Sequence, residues 1–346
     1  MTYLRLLPLL LLTTLVPVLA QASTQTLRVL AWPGYADADL VEEFESRHQV
    51  KVEVTLVGSD DVLRKKLANN QGADYDLIAA NTAEIEYYVG QQLLQPVQPA
   101  RIANTTRQLW RFRDYQKIPG ITTAGKVYAI PYTYSDMGLI YDRKQFSSPP
   151  QSITSLWDPQ YRGKVLAFNG SSHNFSLASL ARGRDPFRIS NNDFPLATEQ
   201  LIALRRNVLT FYSLPEEAVD LFREHSVALL FANYGRQQLK QLQDAGADVG
   251  YVIPREGALA WLDCWAISRG ARDPALAEAW INFTLEAHVS QALTERQGLS
   301  NTLEEAQGTE KSDQLIWLRP VEDDARRASL WQRIVSGERP PLQETP

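Results

Sequence analysis

From Leu27 onward, strand-like and helix-like patterns alternate three times in succession, and no other feature of the chain limits its fold as strongly. Leu27-Arg-Val-Leu-Ala-Trp32 reads as a buried strand, and Asp39 to His48 as an amphipathic helix with acids in its first turn. Val50 to Val57 alternates apolar and polar residues, Ser59 to Leu67 is a capped helix, and Tyr75-Asp-Leu-Ile-Ala-Ala80 is a strand leading into Asn81, Thr82 and a further helix. This order predicts an α/β fold with a mainly parallel sheet covered on both faces, whose ligands sit beyond the carboxyl ends of its strands. The alternation resumes at Gly163 to Phe168 with a helix from about Ser172, at Val227 to Phe231 with a helix from about Tyr234, and at Val249 to Ile253. Helices are expected at Pro274 to Thr284, Ala287 to Gln297 and Val321 to about Val335.

A length of 346 residues predicts two domains. No Gly/Ser-rich or Pro-rich linker separates them, so the chain is expected to cross between lobes at strands, with Tyr128 to Tyr134 and Ala258 to Asp263 as the crossing segments. Arg5 followed by an apolar stretch to Ala20 and the Ala20-Gln21-Ala22 site reads as a secretory leader cleaved after Ala22. No later window is apolar for long enough to span a bilayer, so an exported protein of the bacterial periplasm is expected. The lobes are then 23–133 plus 262–303, and 134–261 plus 304–346.

Several classes of function are excluded. With 35 Lys+Arg against 40 Asp+Glu and no basic run longer than a pair, the chain has no electrostatic footprint for nucleic acid. Its single cysteine, Cys264, rules out an intramolecular disulfide, a Cys-based zinc site and an iron–sulfur cluster, and reads as an inert core thiol. His48, His173, His225 and His288 show no metal-ligand spacing, and all but His173 are expected on solvated helix faces. There is no G-x-S-x-G, Walker loop or G-x-G-x-x-G. No enzyme activity, metal or cofactor is expected.

What remains is a set of aromatic and polar residues at strand ends. Trp32-Pro-Gly-Tyr35 follows the first strand and Asn81-Thr82 the third, while Asn169-Gly-Ser-Ser-His173 and Phe231-Ala-Asn-Tyr234 follow strands of the second half. Each reads either as turn and cap chemistry or as a ligand contact, and four at equivalent positions favour a shared cleft. In Trp261-Leu262-Asp263 the indole and the carboxylate share one face of a strand. That pairing suits an ammonium group, which gains a charge-assisted hydrogen bond from the acid and a cation–π contact of about 0.5–2 kcal/mol from the ring. The alternative is a strand-end Asp paired to an arginine. Asp136, within Tyr132-Thr-Tyr134-Ser-Asp136, reads equally as a second cleft acid or a solvated turn residue. Trp110, Trp157 and Trp280 read as core.

Several stretches together resemble the bacterial extracellular solute-binding proteins of the spermidine/putrescine-binding family, which serve ABC importers. They are Leu-Arg-Val-Leu-Ala-Trp32-x-Gly-Tyr35, Phe44-Glu45, Tyr75-Asp-Leu-Ile, Val127-Tyr-Ala-Ile-Pro-Tyr132, Ser155-Leu-Trp-Asp-Pro-x-Tyr-Arg-Gly-Lys-Val165, Trp261-Leu-Asp263 and Ala279-Trp-Ile-Asn-Phe283. The resemblance implies a two-lobe type II periplasmic binding protein fold with a hinge formed by strand crossings. It also implies a monomer that closes over a small amine and presents it to an inner-membrane permease; docking on a membrane signalling receptor is the alternative output. Trp32 and Trp261 fall on aromatic wall positions of that family, and Asp263 on an ammonium-binding aspartate. Asn81 stands where a serine is typical and Phe231 where a tryptophan is usual. The acidic pair for the far amine would fall near Gly170 and His173, where there is no carboxylate, and Ala83 replaces a cleft tyrosine. Either Asp136 compensates, and the ligand is a polyamine such as putrescine or spermidine, or the far end is not cationic. The second case implies an ω-amino acid such as 4-aminobutyrate or 5-aminovalerate, its carboxylate meeting Ser171, Ser172, His173 and the helix N-terminus. Tyr35, Thr82, Tyr132 and Tyr134 complete the expected binding set.

Overall fold

The computed structural model of the protein describes residues 25–305 and 314–338, so the expected leader at 1–22 lies outside the described residues. The described residues open with β1 (Thr26–Ala31), α1 (Ala38–His48), β2 (Lys51–Leu56), α2 (Asp60–Ala68), β3 (Leu77–Asn81) and α3 (Thr82–Gly90), in the predicted order. Short elements follow: β4 (Leu94–Gln95), α4 (Trp110–Arg113), β5 (Thr122–Thr123) and β6 (Lys126–Val127). Then come β7 (Ala129–Met137), β8 (Leu139–Asp142), β9 (Val165–Phe168), α5 (Ser171–Ala181), α6 (Phe194–Asn207), β10 (Val208–Tyr212) and α7 (Pro215–Glu224). The remainder is β11 (Leu229–Phe231), α8 (Arg236–Asp244), β12 (Val249–Val252), β13 (Ala258–Ser268), α9 (Pro274–Thr284), α10 (Ala287–Gln297), β14 (Ser300–Asn301), β15 (Leu315–Trp317) and α11 (Asp324–Ser336).

Two sheets organise these elements. The first runs β14-β7-β13-β3-β1-β2, with β15 and β4 paired to the two ends of β13, and the second runs β10-β9-β11-β8-β12. β1, β2 and β3 are parallel, as their helical crossovers require, whereas β13 lies antiparallel to both β3 and β7. The predicted crossing segments 128–134 and 258–263 thus lie within or beside β7 and β13 of the first sheet. The chain changes sheet just after one, at Gly138, and just before the other, over 253–257.

Every residue of β7 and β13 is buried, because each has strands on both sides and α3 and α9 pack on β13. Edge strand β2 alternates between exposed and half-buried positions from Lys51 to Val54, consistent with its period-2 sequence there. The first lobe's core centres on an aromatic chain in which Phe44 of α1 meets Trp280 at 5.0 Å and Trp280 meets Trp265 at 6.2 Å, both edge-to-face. In the second lobe Trp331 of α11 meets Phe211 at 4.9 Å. Cys264 is buried, and burial pushes its thiol well up, consistent with an inert core residue. His48, His225 and His288 are exposed. Of the three tryptophans expected in the core, Trp280 is buried, Trp157 is half-buried and Trp110 is 68% exposed. It opens a single helical turn, and a turn that buries Phe112 must point the residue two positions earlier elsewhere.

Candidate functional site

Trp32, Tyr35, Asp60, Asn81, Trp261 and Asp263 from the first sheet and its loops meet His173, Asn233, Tyr234 and Gln237 from the second around one cavity between the lobes. Its free volume is about 30 Å³, room for about one or two water molecules. The two halves of the wall are in direct contact. Trp261 Nε1 donates to the Asn233 carbonyl at 3.1 Å, and Gln237 Nε2 to the Pro33 carbonyl at 3.1 Å. Tyr234 Oη reaches the Gly58 carbonyl at 3.3 Å, and its ring stands edge-on to Trp32 at 6.4 Å.

Asp263 owes its position to sheet register. It lies opposite Asn81 on β3 and Thr133 on β7, and the step to Cys264 opposite Pro131 leaves Tyr132 as an extra residue on β7. Pro131 has no N–H for the ladder, so a bulge here is the expected outcome, and bulges commonly re-aim side chains beside sites. Because the extra residue is on β7, alternation on β13 is undisturbed and Trp261 and Asp263 both line the cavity. Tyr35 Oη donates to Asp263 Oδ2 at 2.6 Å. Tyr35 reaches it from the Trp32-Pro-Gly-Tyr35 turn, where Gly34 has φ +85 and a Cβ would stand 2.5 Å from the Gln297 side chain. The Trp32 indole is fixed by a 3.1 Å hydrogen bond to the Ala79 carbonyl.

Burial pushes the Asp263 carboxyl up to about 7; the Tyr35 hydrogen bond opposes the rise, Asp60 adds to it, and His173 is the cation that acts against it. No arginine stands beside this acid, so the alternative of an Asp–Arg pair does not apply among the described contacts.

A second carboxylate lines the same cavity. Ser59 Oγ accepts from the Val62 amide and caps α2, which places Asp60 and Asp61 in its first turn. Asp60 receives Asn81 Nδ2 at 3.2 Å on Oδ1 and faces His173 Nε2 at 3.2 Å through Oδ2. Asn81 is at the same time the cap of α3, its Oδ1 accepting from the amides of Ala83 and Glu84, both at 3.1 Å. The other imidazole nitrogen, His173 Nδ1, is 2.7 Å from Asn233 Oδ1. Burial works against a charged His173, but hydrogen bonding and attraction from Asp60 outweigh it and raise its pKa. Behind the pair, Glu84 is pushed up to about 7 by burial and by Asp60, against the pull of Arg64. Arg64 spans the lobes, donating to Glu84 at 2.6 Å and pairing with Asp324 of α11 at 2.7 Å.

The other expected residues lie around this cavity rather than in its wall. Tyr132 stands behind Tyr35, edge-on at 5.5 Å. Tyr134 faces away, its hydroxyl 3.2 Å from Arg111 and its ring 5.2 Å from Phe112. Thr82 lies in a separate groove with Ile118 and Trp317. Phe231 is fully buried in the second core. Asp136 is engaged by the Tyr251 hydroxyl and faces Arg236 at 3.7 Å, so its carboxylate does not serve the cavity. Ser171 is engaged within the protein: its hydroxyl and amide donate to Asp61 at 2.9 and 3.3 Å, which makes a carboxylate of one lobe the cap of α5 in the other. Ser172 donates to Asp324 at 2.7 Å. The far-end carboxylate pocket expected at Ser171 and Ser172 is therefore filled by the protein's own acids.

Four lining residues were not singled out by sequence. Asn233 and Tyr234 lie in the Phe231–Tyr234 segment that was, and Gln237 follows one helical turn later. Asp60 carried only the signal of a first-turn acid, which any solvated helix N-terminus favours.

Comparison with known proteins agrees with this architecture. Residues 39–316 match a family model described as bacterial extracellular solute-binding protein. The chain is similar to spermidine/putrescine-binding periplasmic protein 1 of Haemophilus influenzae, 25% identical over 278 residues that cover 79% of this chain and 74% of that one. It is likewise similar to the putrescine-binding periplasmic protein PotF of Escherichia coli strain K12, 25% identical over 291 residues covering 78% and 76%. Among solved structures, a putative spermidine/putrescine ABC transporter protein from Listeria monocytogenes superposes with a TM-score of 0.78 at 19% identity, covering 91% of this chain and 98% of its own.

Proposed function

Because the chain belongs to the bacterial extracellular solute-binding proteins, binding proteins rather than enzymes, we propose that it captures a small amine between its lobes and delivers it to the permease of an ABC importer. The observation that carries this reading is Asp263, a buried carboxylate beside Trp261 that, among the described residues, hydrogen-bonds a phenol and no basic side chain. Such a group is costly to bury alone and is stabilised by an incoming ammonium. Trp32, Tyr35 and Trp261 supply the apolar walls for the carbon chain, and Asn81 and His173 close the far side. The relatives whose names state spermidine or putrescine support the amine class.

Capture works by closure, and because the cavity has a free volume of only about 30 Å³, the lobes stand further apart around a bound amine than they do here. Asp60 to His173, Asp61 to Ser171 and Arg64 to Asp324 all join one lobe to the other, so each contact forms only when the lobes meet. Motion is absorbed where the chain changes sheet: the Tyr251 hydroxyl donates to the Asp136 carboxylate and accepts from the Gly138 amide at 2.8 Å, tying the two crossings together. Closure excludes water, which strengthens the Asp263–ammonium contact. A thermal-shift panel of putrescine, spermidine, 4-aminobutyrate and 5-aminovalerate tests the proposal. Stabilisation by at least one of them is expected, and no shift with any of the four rejects an amine ligand.

A further inference from the structure

We propose that the His173 proton and a second ligand ammonium compete for Asp60, so that the cleft exchanges a proton for a cation when it takes a diamine. This rests on the amine reading above and names how the far end of the ligand is selected. The geometry of the imidazole carries it. Nδ1 faces an amide oxygen at 2.7 Å and Nε2 faces a carboxylate at 3.2 Å, so both ring nitrogens meet acceptors. A neutral imidazole has one N–H and satisfies one of them; the imidazolium satisfies both. The ring is thus held as a cation by its two neighbours and acts as the resident counter-ion of Asp60.

The surroundings keep that exchange local. On α2, Asp60 and Asp61 face His173, with Arg64 one turn on. Glu84 of α3 and Asp263 of β13 add negative charge. On α11, Asp324 is committed to Ser172 and Arg64, and Arg327 donates to the Ser172 carbonyl at 3.0 Å. Asn233 and Tyr234 contribute no charge. The acid of this group that both lines the cavity and contacts His173 is Asp60. A second ammonium placed against it stands beside the imidazolium, and like charges at that range disfavour each other unless the ring gives up its proton. A ligand with one ammonium uses Asp263 and leaves the His173–Asp60 pair intact.

The test is calorimetry with putrescine and 4-aminobutyrate from pH 5.5 to 8.5, in paired buffers of different ionisation enthalpy, on the wild type and on His173→Gln. Both ligands release the Asp263 proton, so the difference between them isolates the second exchange. Putrescine is expected to release up to one proton more than 4-aminobutyrate. Its affinity should rise relative to 4-aminobutyrate by up to about tenfold per pH unit below the His173 pKa, and level above it. His173→Gln should make the two pH profiles parallel. Nitrogen NMR of the wild-type imidazole gives an independent measurement should that variant fold poorly: deprotonation on adding putrescine is expected, and an imidazolium that persists overturns the inference. Parallel profiles in the wild type, or a difference that survives in His173→Gln, also overturn it. Failure of the amine reading looks different, since then none of putrescine, spermidine, 4-aminobutyrate and 5-aminovalerate binds, or binding survives Asp263→Asn.

Discussion

Replacing Asp263 by Asn separates what this carboxylate does for binding from what it costs the fold. Its Oδ2 accepts from Tyr35 at 2.6 Å, a bond an amide oxygen can keep, so the substitution removes charge with little change of shape. A charge-assisted hydrogen bond contributes about 1.5–3 kcal/mol net, which at about 1.4 kcal/mol per decade makes amine binding roughly 10- to 150-fold weaker. Stability should move the opposite way. Burial raises the Asp263 pKa from 3.8 to about 7, so the folded state holds this proton more tightly than the unfolded chain does. Its contribution is fully present below the unfolded value and is lost as pH rises through the folded one. Over that span, about 1.36 kcal/mol per unit gives a loss on the order of 4 kcal/mol at pH 8. Asp263→Asn should therefore match the wild type near pH 3.5 and exceed it in Tm at pH 8, without ligand. Paired calorimetric binding and thermal melts at the two pH values decide the matter. An Asn variant that binds as tightly as the wild type, or that melts lower at pH 8, refutes the reasoning.

Two further outcomes follow from the lobe contacts and the surface. Asp61→Ala removes the carboxylate that caps α5 from the opposite lobe; a lost cap costs about 0.5–2 kcal/mol, here charged to the closed form, so affinity should fall roughly 2- to 30-fold while thermal stability of the ligand-free protein barely changes. A loss of stability equal to the loss of binding energy would show that Asp61 supports the fold and not closure. Trp110→Ala, at a residue 68% exposed, should change unfolding free energy by no more than about 0.5 kcal/mol, and a larger loss in a denaturant titration would restore it to the core.

Local pattern was enough for most of the architecture. The three alternating units from Leu27, the second set from Val165 and the terminal helices appear at or near the expected positions, because apolar periodicity and caps act over a few residues. Pattern was not enough for Trp110, since a tryptophan next to a short helix carries no signal about which side of that helix faces inward. Nor could it show β13 antiparallel to β3 and β7, because a fully buried strand has no alternation to read.

In the candidate site, Trp32, Tyr35, Asn81, His173, Trp261 and Asp263 were legible because strand ends of an α/β sheet are where a cleft forms. The far end was not. By sequence, Asp136 was the spare acid, Ser171 and Ser172 were free donors, and no carboxylate stood near His173. Tertiary contacts reassign all of them: Asp136 goes to Tyr251, Ser171 and Ser172 to Asp61 and Asp324, and Asp60, from a helix more than a hundred residues away in the chain, becomes the partner of His173. Sequence by itself determined the elements, the two-lobe order and the placing of Trp261 and Asp263 on one face of a strand, all of which depend on residues close along the chain. Which acids are free and which are already paired was decided only by the tertiary structure, because hydrogen bonds across a cleft join residues that no local pattern relates.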